Sequence, residues 1–371
     1  MAFNHLVFDG IGANVILKHL AQCCCNSSSE ERDATAYEEI RYRKLILDME
    51  PIHRRDSGVH ASVASSLCLA CLSPQVRSDM AKVLPQQLSD ECFIFSPDSI
   101  NRLKDACSYL WPLLQGSCPS PSDTPTPPIL SENDVVTALL WGSIAKARGS
   151  NNNREQQAKY QAKSVCAMAV NLRRFFEPCL PPTYMGNAIT TVRYLVDSNT
   201  FRHQETGHSQ LGKDTESLFG IRLDSILPIA KIAYGIRSRR CAFNGLYAQN
   251  LIAFIRSNGI SDAIRNGPAD IYVTSWRRLE IYELDFGSHL GHIDGFHTQA
   301  SGVDGMCLIM PARASQSAGS TARQNNQQIP WDVRITLNTE TMELFRNDDL
   351  MCWVLEGGEC SLPGKDKLEL R

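Results

Sequence analysis

The chain has 371 residues, with 37 Lys and Arg against 40 Asp and Glu, so its formal net charge is −3. This length predicts two domains, or one large two-lobed domain, whose core is big enough to need no stabilising metal or disulfide. The near-neutral charge and the absence of a long apolar run argue against partners such as nucleic acid or a membrane, and against a signal peptide.

The 14 cysteines are interpreted as reduced thiols of a cytoplasmic protein. Cys68 and Cys71 form a single CxxC with no second pair, so zinc or redox chemistry is the disfavoured interpretation. We therefore expect the cysteines to serve as small apolar residues of the core.

The first third of the chain alternates between apolar and polar segments. Residues 3–7 predict a strand, and Asp9 stands at the N-cap position of a helix with apolar residues from Ile11 to Leu20. The Ser- and Glu-rich residues 26–36 predict a loop. Residues 92–95 predict a strand, and Pro97 then opens a helix that extends to Leu110.

Five prolines lie between residues 115 and 128, where they exclude a helix or a central strand. We predict a linker over 115–130, which divides the chain into a first lobe at 1–114 and a second lobe at 131–371. In the second lobe, helices are predicted at 135–147, 223–237, 245–256 and 339–345. The helix at 339–345 is predicted to be the last one in the chain. Strands are predicted at 165–172, 189–196, 271–275, 306–311 and 331–337. Strands mixed with long helices indicate the α/β class.

His5 and Asp9 form an HxxxD pattern that is followed by Gly10. Histidine titrates near neutral pH and therefore suits a general base that activates a hydroxyl group. Alone the pattern is weak, and the plainer interpretation is favoured: His5 is then a packed strand residue, and Asp9 merely caps the helix.

The pattern resembles the HxxxDG signature of the BAHD acyltransferases, which use coenzyme A thioesters. Four later segments resemble further motifs of that family in the same order: FxFSxxSLxxLK at 93–104, StxDxxxAxxW at 131–141, NxR…LPPxYxGN at 171–187, and TSW with DFG at 274–287. The whole chain is thus similar to this family, above all to its fungal members that acylate secondary metabolites.

The resemblance implies that His5 is the general base, which accepts the proton of the acceptor hydroxyl. Asp9 would be a structural carboxylate paired with Arg173 of the NxR motif. Thr274 and Trp276 would donate hydrogen bonds to the oxyanion, although either could simply fill the core.

Four further matches are structural: Asn171 of the NxR motif, and Asp285, Phe286 and Gly287 of the DFG loop. The family's DFGWG is replaced here by DFGSHLG, so the resemblance implies altered local packing at this loop.

For the whole chain, the resemblance implies a chloramphenicol-acetyltransferase-like fold: two lobes of mixed sheets with flanking helices, the first lobe incomplete. It implies a monomeric enzyme that moves an acyl group, an acetyl group in the first instance, from acyl-CoA to a hydroxyl of a terpenoid, alkaloid or polyketide. Acyl-CoA is then a co-substrate, and no metal or bound cofactor is expected. Two alternatives remain open, a non-catalytic relative that only binds ligand and a condensation-type domain that acts on carrier-bound acyl groups.

Family members carry a long segment before HxxxD, whereas His5 lies four residues from Met1 here. We therefore expect this form to be a truncated member or an incomplete gene model, with weak activity or none.

Two other clusters receive plainer interpretations. His289, His292, Asp294 and His297 lack the spacing of a helical metal site, so we do not expect a metal there. The basic patches at 237–240 and 277–278 are expected on a solvated face, with contact to coenzyme A phosphates as the alternative. Residues 302–305 predict a turn rather than a phosphate loop.

Overall fold

The computed structural model describes residues 7–25, 30–48, 87–114, 128–150, 163–176, 178–201, 209–263, 269–313 and 329–355. The described strands are β1 (Leu88–Phe95), β2 (Lys163–Asn171), β3 (Ile189–Asp197), β4 (Ile271–Ser275), β5 (Met306–Ile309) and β6 (Trp331–Asn338). The described α-helices are α1 (Gly10–Cys24), α2 (Glu30–Asp48), α3 (Pro97–Tyr109), α4 (Trp111–Leu114), α5 (Glu132–Ser150), α6 (Ser209–Phe219), α7 (Leu223–Cys241), α8 (Gly245–Ala263), α9 (Thr339–Arg346) and α10 (Asp349–Leu355). This mixture confirms the predicted α/β class.

The six strands form one mixed sheet in the order β1-β6-β5-β4-β2-β3. β4 pairs in parallel with both β2 and β5, whereas the remaining pairings are antiparallel. The parallel pairs bring together chain segments that are far apart in sequence, because a parallel connection needs a crossover.

Strand β6 lies between β1 and β5 and shows how the sequence builds the sheet. Its residues alternate, so that Val333, Ile335 and Leu337 are fully buried. On the other face, Arg334 and Thr336 contact the carboxylate of Asp90 on β1. The alternation therefore buries one face and pairs charged or polar groups on the other.

Helix α5 forms the centre of the core. Its residues from Val135 to Ile144 are nearly all buried, since the segment is apolar on every side. A capping box begins the helix: the Ser131 amide and hydroxyl donate to the Asp134 carboxylate at 3.0 and 2.7 Å, and the Asp134 amide donates back to the hydroxyl. The predicted helix is confirmed.

Several predicted boundaries are wrong. Helix α2 begins at Glu30, inside the stretch predicted as a loop, and α10 follows the helix predicted as the last one. Residues 209–219 form α6, which the sequence analysis did not predict. Val7 lies in a turn rather than in a strand, and residues 1–6 lie outside the described residues.

The sheet joins segments from both sides of the predicted linker. Strand β1 precedes the linker, yet it pairs along its full length with β6, from Leu88 opposite Asn338 to Phe95 opposite Trp331. Helix α3 shares the core of α5 and the sheet. Residues 115–127 lie outside the described residues, as do Cys68 and Cys71, and the division into two lobes stays a prediction.

Candidate active site

Asp9 caps helix α1 and is 2% exposed. Its Oδ1 accepts a hydrogen bond of 2.9 Å from the amide of Gly12, as an N-cap side chain does. Its Oδ2 accepts one of 2.9 Å from the amide of Ala188. Because both oxygens are occupied, this carboxylate is suited to holding the chain and not to abstracting a proton.

Arg173 forms a two-point pair with Asp9, as the sequence predicts. Nη1 lies 2.7 Å from Oδ2 and Nη2 lies 2.9 Å from Oδ1, with both side chains buried. The guanidinium also donates to the carbonyl oxygens of Tyr184 at 3.0 Å and Gly186 at 2.8 Å. Asn171 positions the arginine, since its side-chain oxygen accepts from the Arg173 amide at 3.0 Å.

Residues 184–188, called here the 184–188 loop, hold the segment that follows His5. The Asn187 amide donates to the carbonyl of Val7 at 2.9 Å, and Phe8 forms an isolated bridge with Gly186. Gly12 lies directly against Met185, so that a Cβ on Gly12 would overlap the Met185 carbonyl oxygen. The backbone of the loop therefore contacts residues 7–12 at the successive positions Met185, Gly186 and Asn187.

Trp276 contacts the same helix terminus from the sheet. It follows β4, where its amide donates to the carbonyl of Ile309 at 2.8 Å, and its ring packs against that of Phe296. A Cβ on Gly10 would lie only 2.6 Å from the indole Nε1. Thr274, two residues earlier on β4, is half-buried opposite Leu308. The TSW motif thus lies beside the residue that follows Asp9.

The DFG segment forms a turn at the other end of α1. The Asp285 carboxylate accepts from the Gly287 amide at 2.9 Å, and the Phe286 amide donates to the carbonyl of Gly291 at 2.8 Å. Both glycines adopt positive φ, +84° at Gly287 and +67° at Gly291, which side chains disfavour. The Cys25 thiol, just after α1, donates to the Asp285 carbonyl at 3.3 Å. Gly291 therefore closes the turn despite the altered DFGSHLG sequence.

The predicted site residues thus gather around one helix. Asp9, Arg173 and Trp276 lie at or near the N-terminal end of α1, and the DFG turn lies near its C-terminal end. His5 lies outside the described residues, two positions before Val7. Val7 is the first described residue, and its carbonyl is bound by the 184–188 loop.

The basic patches are not merely solvated, which corrects the sequence analysis. Arg240 and Arg237 approach the fully buried Asp134 carboxylate at 2.6 and 3.8 Å, and this carboxylate also belongs to the capping box of α5. Arg277 donates to the carbonyls of residues 329 and 330, and burial lowers its pKa to about 10. Arg278 is exposed, as expected. Three of these arginines therefore support the fold.

The described part of the chain contains no group of three or more His, Cys, Asp or Glu side chains placed to hold a metal ion. Nor does any helix within the described ranges have the length and apolarity needed to cross a bilayer.

Two contacts of the site were not predicted from the sequence. Glu39, a buried carboxylate on α2, accepts a hydrogen bond from the Met185 amide at 2.9 Å, and the Ala188 amide donates to Asp9. Because Glu39 follows the stretch interpreted as a loop, only correct prediction of α2 could have singled it out.

Solved structures define the class of fold. The crystal structure of Fusarium sporotrichioides TRI101 complexed with coenzyme A and T-2 matches with a TM-score of 0.57 at 17% identity, over 93% of this chain and 64% of that one. The apo form of F. graminearum TRI101 matches with a TM-score of 0.56 at 15% identity, over 94% of this chain and 63% of that one. The protein therefore has the predicted chloramphenicol-acetyltransferase-like fold.

The family follows from the sequence comparison. The Transferase family matches residues 1–350, so the chain belongs to this family, that of the BAHD acyltransferases. Fumigaclavine B O-acetyltransferase easN of Aspergillus fumigatus is 32% identical over 96% of this chain and 69% of its own length. Communesin N16 acyltransferase cnsK of Penicillium expansum is 31% identical over 96% of this chain and 68% of its own. The chain thus spans about two thirds of the length of these relatives.

Proposed function

We propose that this protein is an acyl-CoA-dependent O-acyltransferase that moves an acyl group, an acetyl group in the first instance, to a hydroxyl of a small secondary metabolite. The observation that carries the proposal is the pairing of Asp9 with Arg173. The pair attaches Asp9 of the HxxxD motif to Arg173 of the NxR motif, and Gly10, the next residue after Asp9, lies against Trp276 of the TSW motif. The relatives named above, an O-acetyltransferase and an acyltransferase of fungal metabolites, support the same chemistry.

In this mechanism His5 accepts the proton of the acceptor hydroxyl as the oxygen attacks the thioester carbonyl. The tetrahedral oxyanion accepts hydrogen bonds from the Thr274 hydroxyl and the Trp276 indole N–H. The carbon–sulfur bond then breaks, and His5 returns its proton to the coenzyme A thiolate. General base catalysis of this kind contributes about 10²–10⁴-fold.

Asp9 has a different role, because its oxygens are already bound by two amides and Arg173. It holds the chain that carries His5, and the Asn171–Arg173 motif holds Asp9. Asp285, Phe286 and Gly287 act more remotely, through the turn that contacts the end of α1.

We further propose that the protein acts in the cytoplasm as a monomer, with acyl-CoA and a free small molecule as its partners rather than nucleic acid. The near-neutral charge supports this choice of partners. The ten described cysteines are free thiols, as suits a reducing compartment. Only Cys107, Cys166 and Cys307 among them are buried, so the expectation that the cysteines fill the core is wrong for the other described cysteines.

The test is an assay of the purified chain with acetyl-CoA and a panel of hydroxylated metabolites. We expect thiol release that depends on the acceptor, and a product heavier by one acetyl group in mass spectrometry. Thiol release at the background rate with every acceptor, despite measurable binding of acetyl-CoA, would favour the non-catalytic alternative.

A further inference from the structure

Helix α2 contributes a buried carboxylate to the back of the 184–188 loop. Glu39 is 8% exposed. Its Oε2 accepts a hydrogen bond of 2.9 Å from the amide of Met185, and its Oε1 accepts one of 3.0 Å from Nε of Arg43, one turn later on α2. A carboxylate is costly to bury unless charged or polar donors satisfy it, and here Arg43 and the Met185 amide do so.

The peptide groups around Met185 connect this carboxylate to the HxxxD segment. The Met185 carbonyl lies against Gly12, while the neighbouring carbonyls of Tyr184 and Gly186 accept from Arg173. Two residues further on, the Ala188 amide donates to the carboxylate of Asp9. Glu39 is therefore bonded to the same loop that contacts Val7, Phe8, Asp9 and Gly12.

We propose that Glu39 is a positioning residue for acyl transfer, which fixes the 184–188 loop and, through it, the segment that carries His5. Glu39 does not contact Asp9 or Arg173 directly in this network; the loop backbone transmits its effect. A general base must be held within about 0.5 Å of its working geometry, and a displacement of about 1 Å can cost 10²-fold in rate.

The role predicts a particular kinetic signature. Loss of the Glu39 carboxylate should lower kcat by about 10- to 100-fold, because His5 is less well placed. The KM for acetyl-CoA should change less than threefold, because the Glu39 carboxylate is already bound by the Met185 amide and Arg43 and is proposed to act on the position of the base. Glu39→Gln should recover most of the rate lost in Glu39→Ala, since its amide oxygen can still accept from Met185.

The experiment compares Glu39→Ala and Glu39→Gln in the full chain with Glu38→Gln as the matched control. Glu38 precedes Glu39 on α2 and is exposed, so its variant removes the same charge without touching the loop. Steady-state kinetics with acetyl-CoA are measured together with amide hydrogen exchange. We expect faster exchange in 184–188 and 7–12 for Glu39→Ala, and wild-type exchange and kinetics for Glu38→Gln.

The positioning role rests on the acyl transfer proposed above. Amide hydrogen exchange distinguishes a failure of the proposed function from a failure of the role of Glu39. A wild-type chain without turnover contradicts the proposed function, and exchange alone then decides whether Glu39 fixes the loop. Unchanged exchange in 184–188, or equal kcat losses in the Ala and Gln variants, overturns the positioning role. Should Glu39→Ala fail to fold, Glu39→Gln is compared with Glu38→Gln instead. We expect Glu39→Gln to show faster amide exchange in 184–188 and a small but measurable loss of kcat. Exchange and kcat of Glu39→Gln equal to those of the wild type would overturn the role.

Discussion

At the scale of single residues, the carboxylate of Asp9 accepts from the amides of Gly12 and Ala188 and from both terminal nitrogens of Arg173. A helix cap and a buried ion pair therefore share one side chain. Its removal disturbs both the start of α1 and the attachment of α1 to the 184–188 loop.

We expect Asp9→Asn and Arg173→Ala each to lower the free energy of unfolding by about 3–5 kcal/mol, because each leaves a buried charge without its partner. The double variant should lose much less than the sum of the two, since the second change removes a charge that is already unpaired. Denaturant unfolding of the four proteins measures these differences.

Lys18→Ala is the control on the same helix. Lys18 and Glu280 are 4.0 Å apart and more than half exposed, so this variant should change stability by less than about 1 kcal/mol. Additive losses in Asp9→Asn and Arg173→Ala would show that the two residues do not act as a pair.

The proposed base gives a second prediction at this scale. His5→Ala should lower kcat by about 10²–10⁴-fold while the affinity for acetyl-CoA stays close to that of the wild type. His289→Ala, which changes an exposed histidine of the described chain, should leave kcat unchanged. A His5→Ala variant that keeps most of the wild-type rate excludes His5 as the base.

At the scale of elements, α1 depends on the close approach of Gly12 to the Met185 backbone. A methyl group there would overlap a carbonyl oxygen that cannot turn away, because the loop is held on its other side. We expect Gly12→Ala to destabilise the protein by about 1–3 kcal/mol through overpacking.

Gly149→Ala is the matched control, since Gly149 is exposed in helix α5 with nothing near its Cβ position. Alanine is the better helix former, so this variant should stabilise the protein by about 0.5–1 kcal/mol. Thermal unfolding of both variants checks the prediction, which is wrong if they shift the midpoint in the same direction.

The elements also show what local sequence can predict. Helix α5 and strand β6 follow from capping and alternation, because those signals involve neighbours within one turn or one pleat. Helix α2 was missed because its charged start resembles a loop when only apolar periodicity is considered. Glu, Arg and Ala are nevertheless good helix formers.

At the scale of the whole molecule, β1 precedes the predicted linker and pairs with β6, which follows it, so we expect the two parts of the chain to stay associated when the linker is cut. We expect limited proteolysis with subtilisin to cut the linker predicted at 115–130 and to produce two fragments. We expect them to co-elute in size-exclusion chromatography without denaturant, because β1 and α3 share a core with later segments. Fragments that separate spontaneously would instead support two independent lobes.

A further prediction concerns metals. Attack of a hydroxyl on a thioester requires a base and oxyanion donors, so activity should survive prolonged treatment with chelators. Elemental analysis of the active protein checks this directly. Stoichiometric zinc that is lost together with activity would revive a metal role for His289, His292, Asp294 and His297.

The sequence by itself determined the α/β class, most helices and strands, and the pairing of Asp9 with Arg173. The elements depend on local propensity and periodicity, which neighbouring residues encode. The pair came from family motifs, because no local rule connects residues 164 positions apart.

Only the tertiary structure decided which partners the remaining charged residues have. It placed Glu39 behind Met185, Arg237 and Arg240 beside Asp134, and β1 in the sheet of the later strands. Each of these contacts joins segments that are about 100 or more positions apart. Such contacts form when burial of apolar surface brings the segments together, so the path of the whole chain determines them and no single stretch does.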